Sequence, residues 1–386
     1  MDKKIGSYII PTGLAIFSMF FGAGNLMYPI NVGQIGANQY PLATFAFLIT
    51  SVFLPLVALV AIILCNGNYE EFFSKIGKIP GAIAVFGCLI FIGPLYAMPR
   101  IVGVSHAMIS PFCSWLSVPI FTILFLVLTF LISYKESRIM NILGNIISPA
   151  LLVSLAIIII KGFLNAKTTA ITSIPTPQLA WKSILIGYET LDLFGAIFFS
   201  SIVILLLTKD LHAKSKTDIK KLAFMGLKAG LLGTSLLTVV YVGLSFLGAH
   251  YGQNVTGANE AVCFSTISMN ILGSYGAIIV SIAVLMACLS TVVALSTILS
   301  EYLQKLSRGK LTYIPALLIT LTSTGIVSCF GLTNILSFYK PIIVMAHPAL
   351  IVLTFLIIAN KLWGFKHIKL PVLITFILSI IGYYYF

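Results

Sequence analysis

The sequence predicts an all-α polytopic membrane protein of about 11 transmembrane helices, its first ten spans forming a five-plus-five inverted repeat with spans one and six interrupted. Three observations carry this. Hydrophobic residues make up 59% of the 386 residues and charged residues only 9%, with a mean hydropathy of +1.08, outside the range of soluble domains. No charge occurs between Lys4 and Glu70, a stretch far longer than the ~20 residues that one helix needs to cross a bilayer. Finally, two apolar runs in corresponding positions carry glycine-bearing polar segments, Phe20-Phe21-Gly22-Ala23-Gly24-Asn25 and Gly187-Tyr188-Glu189-Thr190-Leu191-Asp192-Leu193-Phe194-Gly195.

Span one runs from Tyr8 to about Val32. Glycine is costly inside helices and proline removes a backbone donor, so Gly22, Gly24 and Pro29 predict that the helix opens between Phe20 and Asn25. At membrane depth an opened backbone is tolerated only where it is buried in protein or lines a cavity, which makes this break a candidate binding site. The run is too long for a signal peptide and lacks a small-x-small cleavage site, so it is expected to be retained. Asn, Gln and Gly cluster between Asn31 and Pro41, where a hairpin is expected to turn into span two.

Apolar run length places the spans at about 8–31, 42–64, 80–99, 118–134, 139–160, 183–208, 229–249, 272–299, 313–330, 335–358 and 370–386. Starting inside, 18 of the 23 Lys and Arg fall in cytoplasmic segments, among them Lys75, Lys78, Lys305 and Lys361. The amino terminus is therefore expected inside and the carboxyl terminus outside. The odd number of spans in a five-span unit makes the second unit cross in the opposite sense, which is the inverted-repeat layout of many secondary transporters. The whole chain, 1–386, reads as one transmembrane domain with repeats at about 8–160 and 183–358 and an extra terminal span at about 370–386.

That layout requires span six to break like span one. Glu189 and Asp192 are the only acids placed inside any span, at a cost of about 2.5–3.5 kcal/mol for a charge at a helix centre. The competing reading, a short span from Leu193 to Thr208, leaves both acids at the interface; the match to span one favours the interrupted helix.

The net charge of +13 lies in short segments between apolar runs rather than on one face, so no nucleic-acid partner is expected and the lipid bilayer is the partner of the basic residues. The six cysteines are scattered without CxxC spacing and read as small packing residues. Nothing clusters as an enzyme's catalytic set would, and no ring-forming pore motif repeats.

Beyond these arguments the chain resembles the branched-chain amino acid:cation symporter family, the BrnQ-type carriers of the amino acid–polyamine–organocation superfamily. The residues that carry the resemblance are Phe20 to Asn25 with Tyr28-Pro29, Ile92-Gly93-Pro94-Leu95-Tyr96-Ala97-Met98-Pro99-Arg100, Gly187-Tyr188 with Thr190 and Asp192, Ala287-Cys288-Leu289-Ser290-Thr291, and Tyr339-Lys340-Pro341 with His347-Pro348. Glu189 stands where the family varies, His347 takes a place that often holds an aromatic residue, and the run of apolar segments leads one to expect eleven spans where the family usually has twelve.

The resemblance implies inward symport of leucine, isoleucine and valine with sodium or a proton as coupling ion and no cofactor; a cation-coupled carrier for another neutral amino acid is the alternative, ahead of a channel. It implies substrate contacts from Gly22, Ala23, Gly24 and Asn25 at the first break, whose amides face a carboxylate at the positive end of a half-helix. At the second break it implies Tyr188, Thr190, Asp192 and Phe194. For sodium it implies hydroxyls of Ser290 and Thr291 and the Ala287 carbonyl, meeting carbonyls of Ser18 and Phe21. On spacing alone, Ser and Thr in apolar helices bond their own preceding carbonyls. Arg100 can pair with Asp192 or Glu189, but at the outer end of span three it is expected to snorkel to the interface, as is Lys340. His347 is expected to pack neutral, with a proton-coupling role as the alternative.

Overall fold

The computed structural model describes residues 2–134, 148–166, 169–208, 219–252 and 260–385. Span one is two helices, α1 (Asp2–Phe20) and α2 (Ala23–Gly36), with only Phe21 and Gly22 non-helical between them. The opening is narrower than expected: Gly24, Asn25 and Pro29 are helical, and the N-cap of α2 is Gly22, extended at φ −110° and ψ −163°. The hairpin turns through Ala37–Gln39, inside the expected segment, into α3 (Tyr40–Leu48), a π-helical turn (Ile49–Phe53) and α4 (Leu54–Leu64). The short α5 (Tyr69–Ser74) follows, with Asn68 Oδ1 capping its Glu71 amide at 3.0 Å.

Span three corrects the sequence reading. α6 (Lys78–Ile90) breaks through Phe91–Leu95, where Gly93 is non-helical, and α7 (Ala97–Ile109) continues for ten residues past the expected end at 99. Pro99 does not end the helix because it is the third residue of α7, where a backbone N–H has no intrahelical acceptor to lose. Arg100 is thereby placed within the span.

Span four is α8 (Val118–Ser133) and span five is α9 (Ser148–Leu164), the expected portion 139–147 lying outside the described residues. Span six begins earlier than expected, with α10 (Thr176–Glu189), and is interrupted at Thr190-Leu191 before α11 (Asp192–Thr208). Spans seven and eight are longer than their apolar runs: α12 (Ile219–Tyr251) and α13 (Glu260–Leu306), the latter bent at Gly273, whose φ of 72° is open to glycine. Spans nine to eleven are α14 (Tyr313–Ser328), α15 (Leu332–Trp363) and α16 (Lys369–Tyr385).

The helices sort into two groups by contact. α1, α2, α4, α11 and α12 pack on one another, and α7, α8, α13 and α14 on one another, while α9 bridges α12 and α13, and α15 lies on α4 and α7. Glycine permits the closest approaches. A Cβ on Gly33 would overlap the Ser245 carbonyl and one on Gly248 the Ile30 carbonyl, so α2 and α12 meet backbone to backbone. Outward faces carry large apolar side chains, for example Phe45 at 70% exposure, Val239 at 69% and Leu131 at 66%, a surface suited to hydrocarbon rather than water. At one end Lys305 pairs with Glu70 at 2.6 Å and Lys361 with Glu71 at 2.7 Å. The distribution of basic residues had assigned all these segments to the same side, and the contacts require it.

Candidate functional site

The two breaks meet. Asn25, the third residue of α2, turns its Oδ1 back to accept from the Gly22 amide at 3.1 Å. Its Nδ2 donates to both carboxylate oxygens of Asp192, the first residue of α11, at 2.8 Å each, and it also contacts the Tyr241 hydroxyl. Tyr241 on α12 donates in turn to Asp192 Oδ2 at 2.8 Å. Asn25, Asp192 and Tyr241 are all buried. A carboxylate in a low-dielectric interior needs such donors, and charge-assisted bonds of this kind are the strong ones. Asp192 thus fastens span six to spans one and seven.

At the second break Thr190 Oγ1 donates to the Gly187 carbonyl at 2.9 Å and accepts from the Asp192 amide at 3.4 Å. Leu191 takes φ 65°, a left-handed conformation that costs a non-glycine residue about 1–2 kcal/mol. Such strain persists where the surroundings over-determine it and clusters at functional sites. Gly187 has a packing task instead, since a Cβ there would overlap Thr50 Oγ1 of the π-helical turn.

A cavity lies where the breaks face α7 and α13. Its polar wall is Gly22, Asn25, Arg100, Thr190, Asp192 and Thr291. Met19, Phe20, Ile101, Phe199 and Leu295 contribute to the apolar wall. Gly22 sits against α13, as a Cβ on it would be 3.3 Å from Thr291 Oγ1.

Of the residues singled out in the sequence, Gly22, Asn25, Thr190, Asp192 and Thr291 line the cavity. The Gly22 amide is already engaged, donating to Phe20 O at 2.8 Å and to Asn25, so the α2 amides without an intrahelical acceptor begin at Ala23 and Gly24. Ala23, Gly24, Tyr188 and Phe194 are not among the lining residues, nor are Ser18, Phe21, Ala287 and Ser290 of the expected sodium set. Tyr188 stacks on His347 at 4.8 Å between ring centroids, and Phe194 meets the same ring edge-on at 5.0 Å. His347 is buried in this cluster with Nδ1 3.0 Å from the Ile343 carbonyl. Lys340 does not simply snorkel: it pairs with Glu189 at 2.7 Å.

The hydroxyl pair behaves as spacing alone suggests. Ser290 and Thr291 donate to the Ala287 carbonyl at 2.7 and 3.3 Å. A hydroxyl that donates keeps lone pairs for a cation. Ser18 Oγ on α1 is buried without a partner, an orphan that an ion or water would satisfy. Among the described residues no group of three or more His, Cys, Asp or Glu could hold a metal ion.

Sequence reasoning missed Tyr241 and misplaced Arg100, which was expected to snorkel to the interface. Tyr241 stands in an apolar run with nothing to mark it. Arg100 is 3% exposed and donates through Nη1 to the Glu189 carbonyl at 2.6 Å and to Tyr28 and Tyr96 hydroxyls at 3.3 and 3.4 Å. Its pairing is therefore with the Glu189 backbone, not with either carboxylate. The apolar stretch Ile101–Val104 after it was the available signal.

The family model for branched-chain amino acid transport proteins matches residues 5–384. The chain belongs to that family. It is 33% identical to the branched-chain amino acid permease BrnQ of Bacillus subtilis, across 95% of this chain and 84% of that protein. To BrnQ of Corynebacterium glutamicum it is 31% identical, across 94% and 82%. Among solved structures, this family member resembles MhsT in complex with L-phenylalanine with a TM-score of 0.63 at 16% identity, covering 97% of this chain and 98% of that one. It resembles Mhp1, a nucleobase-cation-symport-1 family transporter, with a TM-score of 0.59 at 13% identity, covering 97% and 91%. The fold is thus the all-helical, five-plus-five inverted-repeat transporter fold, in an integral multi-pass membrane protein.

Proposed function

We propose that this chain is a secondary active symporter that imports leucine, isoleucine and valine together with sodium or protons. The observation that carries the reading is the cavity at the meeting of the two breaks, whose polar wall can orient a zwitterion and whose apolar wall accepts an aliphatic side chain. Family membership and the named permeases that it resembles support the substrate class. Ala23 and Gly24 amides at the positive end of α2 face the substrate carboxylate, and Asp192 faces its ammonium. Gly22, Asn25 and Thr190 shape the break around it, while Tyr188 and Phe194 act from behind through the His347 cluster.

Ser18, Phe21, Ala287, Ser290 and Thr291 are the proposed sodium ligands, supported by the orphaned Ser18 hydroxyl and the approach of Thr291 to Gly22. The repeats span about 8–160 and 183–358, with 370–386 as an added span. The protein lies in the cell (inner) membrane with its amino terminus cytoplasmic, as the Lys/Arg distribution favours. Competition against labelled leucine uptake tests the substrate class: isoleucine and valine compete if the reading holds, and competition by aromatic or sulfur amino acids alone transfers it to another neutral carrier.

A further inference from the structure

We infer that Arg100 is the anchor for the carboxylate of the transported amino acid, acting with the α2 amino-terminal amides while Asp192 holds the opposite charge. The inference rests on the reading of the chain as an amino-acid carrier. Arg100 is buried and lines the cavity, yet among the described residues the ion pairs all use lysines and none involves it. A guanidinium has five N–H donors in a rigid fork. Its hydrogen bonds among the described residues all leave from Nη1, and Nε is buried without a partner.

The aromatic faces of Tyr28 and Tyr96, 5.6 and 5.0 Å from the guanidinium carbon, hold the group in place without neutralising it. The unused side points to α2: a Cβ on Gly24 would lie 2.9 Å from Arg100 Nη2. Nη2 therefore stands beside Gly24 in the first turn of α2, the positive end of that half-helix, so the guanidinium and the helix end place positive potential close together. Asp192 lines the same cavity but is satisfied by Asn25 and Tyr241 rather than by Arg100. One wall thus offers a cation and another an anion, separately held, and a zwitterion complements both. An uncompensated buried charge is costly, and a carboxylate that pairs bidentately with the fork relieves that cost.

A purely structural Arg100 would cap the end of α10 through Glu189 O and nothing more. The test measures binding of leucine and of leucinamide, which lacks the carboxylate charge, to the purified full chain and to Arg100→Gln and Gly24→Ala. The unmodified protein is expected to prefer leucine by about a hundredfold or more, since loss of one partner of a buried pair is that costly. In Arg100→Gln the preference collapses towards one because leucine binding alone weakens. Gly24→Ala, which displaces Nη2 and serves where Arg100→Gln fails to fold, reduces the preference at least tenfold. A preference unchanged in the folded variants overturns the assignment, as does equal weakening of both ligands. An unmodified protein that binds no neutral amino acid overturns the carrier reading and the anchor with it.

Discussion

Replacing Asn25 with alanine tests whether the junction of the two breaks is needed for transport. The substitution removes the donors to both oxygens of Asp192 and the acceptor for the Gly22 amide, leaving the carboxylate with Tyr241 at 2.8 Å and the Thr190-capped turn. A hydrogen bond to a charged group contributes about 1.5–3 kcal/mol and a neutral one about 1 kcal/mol. Counting the Nδ2 contact shared by the two carboxylate oxygens as one charge-assisted bond and the Gly22 contact as a neutral one, the junction weakens by roughly 2.5–4 kcal/mol, and at ~1.4 kcal/mol per tenfold the uptake rate falls on the order of a hundredfold. Tyr241→Phe removes one bond to Asp192 and retains Asn25, so its loss is smaller, about tenfold. The assay is initial uptake of labelled leucine well below saturation, normalised to the amount of protein in the membrane. An Asn25→Ala rate within twofold of the unmodified protein, or a Tyr241→Phe rate below that of Asn25→Ala, would refute the account of the junction.

Other substitutions separate the parts of the site. Gly24→Val abolishes uptake while membrane insertion stays intact, because its Cβ would lie 2.9 Å from Arg100 Nη2 and 3.2 Å from the Tyr28 ring; normal leucine transport contradicts this. Gly187→Val instead lowers the amount of folded protein, since the overlap is with Thr50 and the Phe47 carbonyl, and detergent-solubilised size exclusion reads that difference. Ser290→Ala with Thr291→Ala weakens the sodium dependence of uptake, or removes transport, without altering the ranking of leucine, isoleucine and valine. A changed ranking with intact sodium dependence would place the pair in the substrate pocket.

The two interruptions were legible because each breaks a local rule: Gly22 inside an apolar helix, and acids inside span six. Local rules cannot say how wide a break is, and Gly24 and Pro29, expected to widen this one, lie within α2 behind its extended N-cap Gly22. Arg100 was misplaced for a related reason. A charge after a proline reads as the end of a span, but the chain had already broken at Gly93, so Pro99 sits in the first turn of a new half-helix and carries Arg100 inward. The partners of Asp192 were beyond sequence reasoning, since Tyr241 lies 49 residues away and is one of 16 tyrosines. Ser290 and Thr291 show the reverse case, a pair whose spacing predicts back-bonding and whose hydroxyls do back-bond.

The central claim is coupled, inward carriage of a zwitterion through this cavity. A neutral substrate moving with one cation makes the cycle electrogenic, and each charge gains about 2.3 kcal/mol per 100 mV, enough for roughly a fifty-fold gradient. Leucine uptake into liposomes holding the purified protein, under sodium, proton and voltage gradients imposed one at a time, measures this directly. The account predicts accumulation above the external concentration when either the sodium or the proton gradient points inward, with an inside-negative potential raising it further. Leucine that only equilibrates, whatever gradient is imposed, would contradict it.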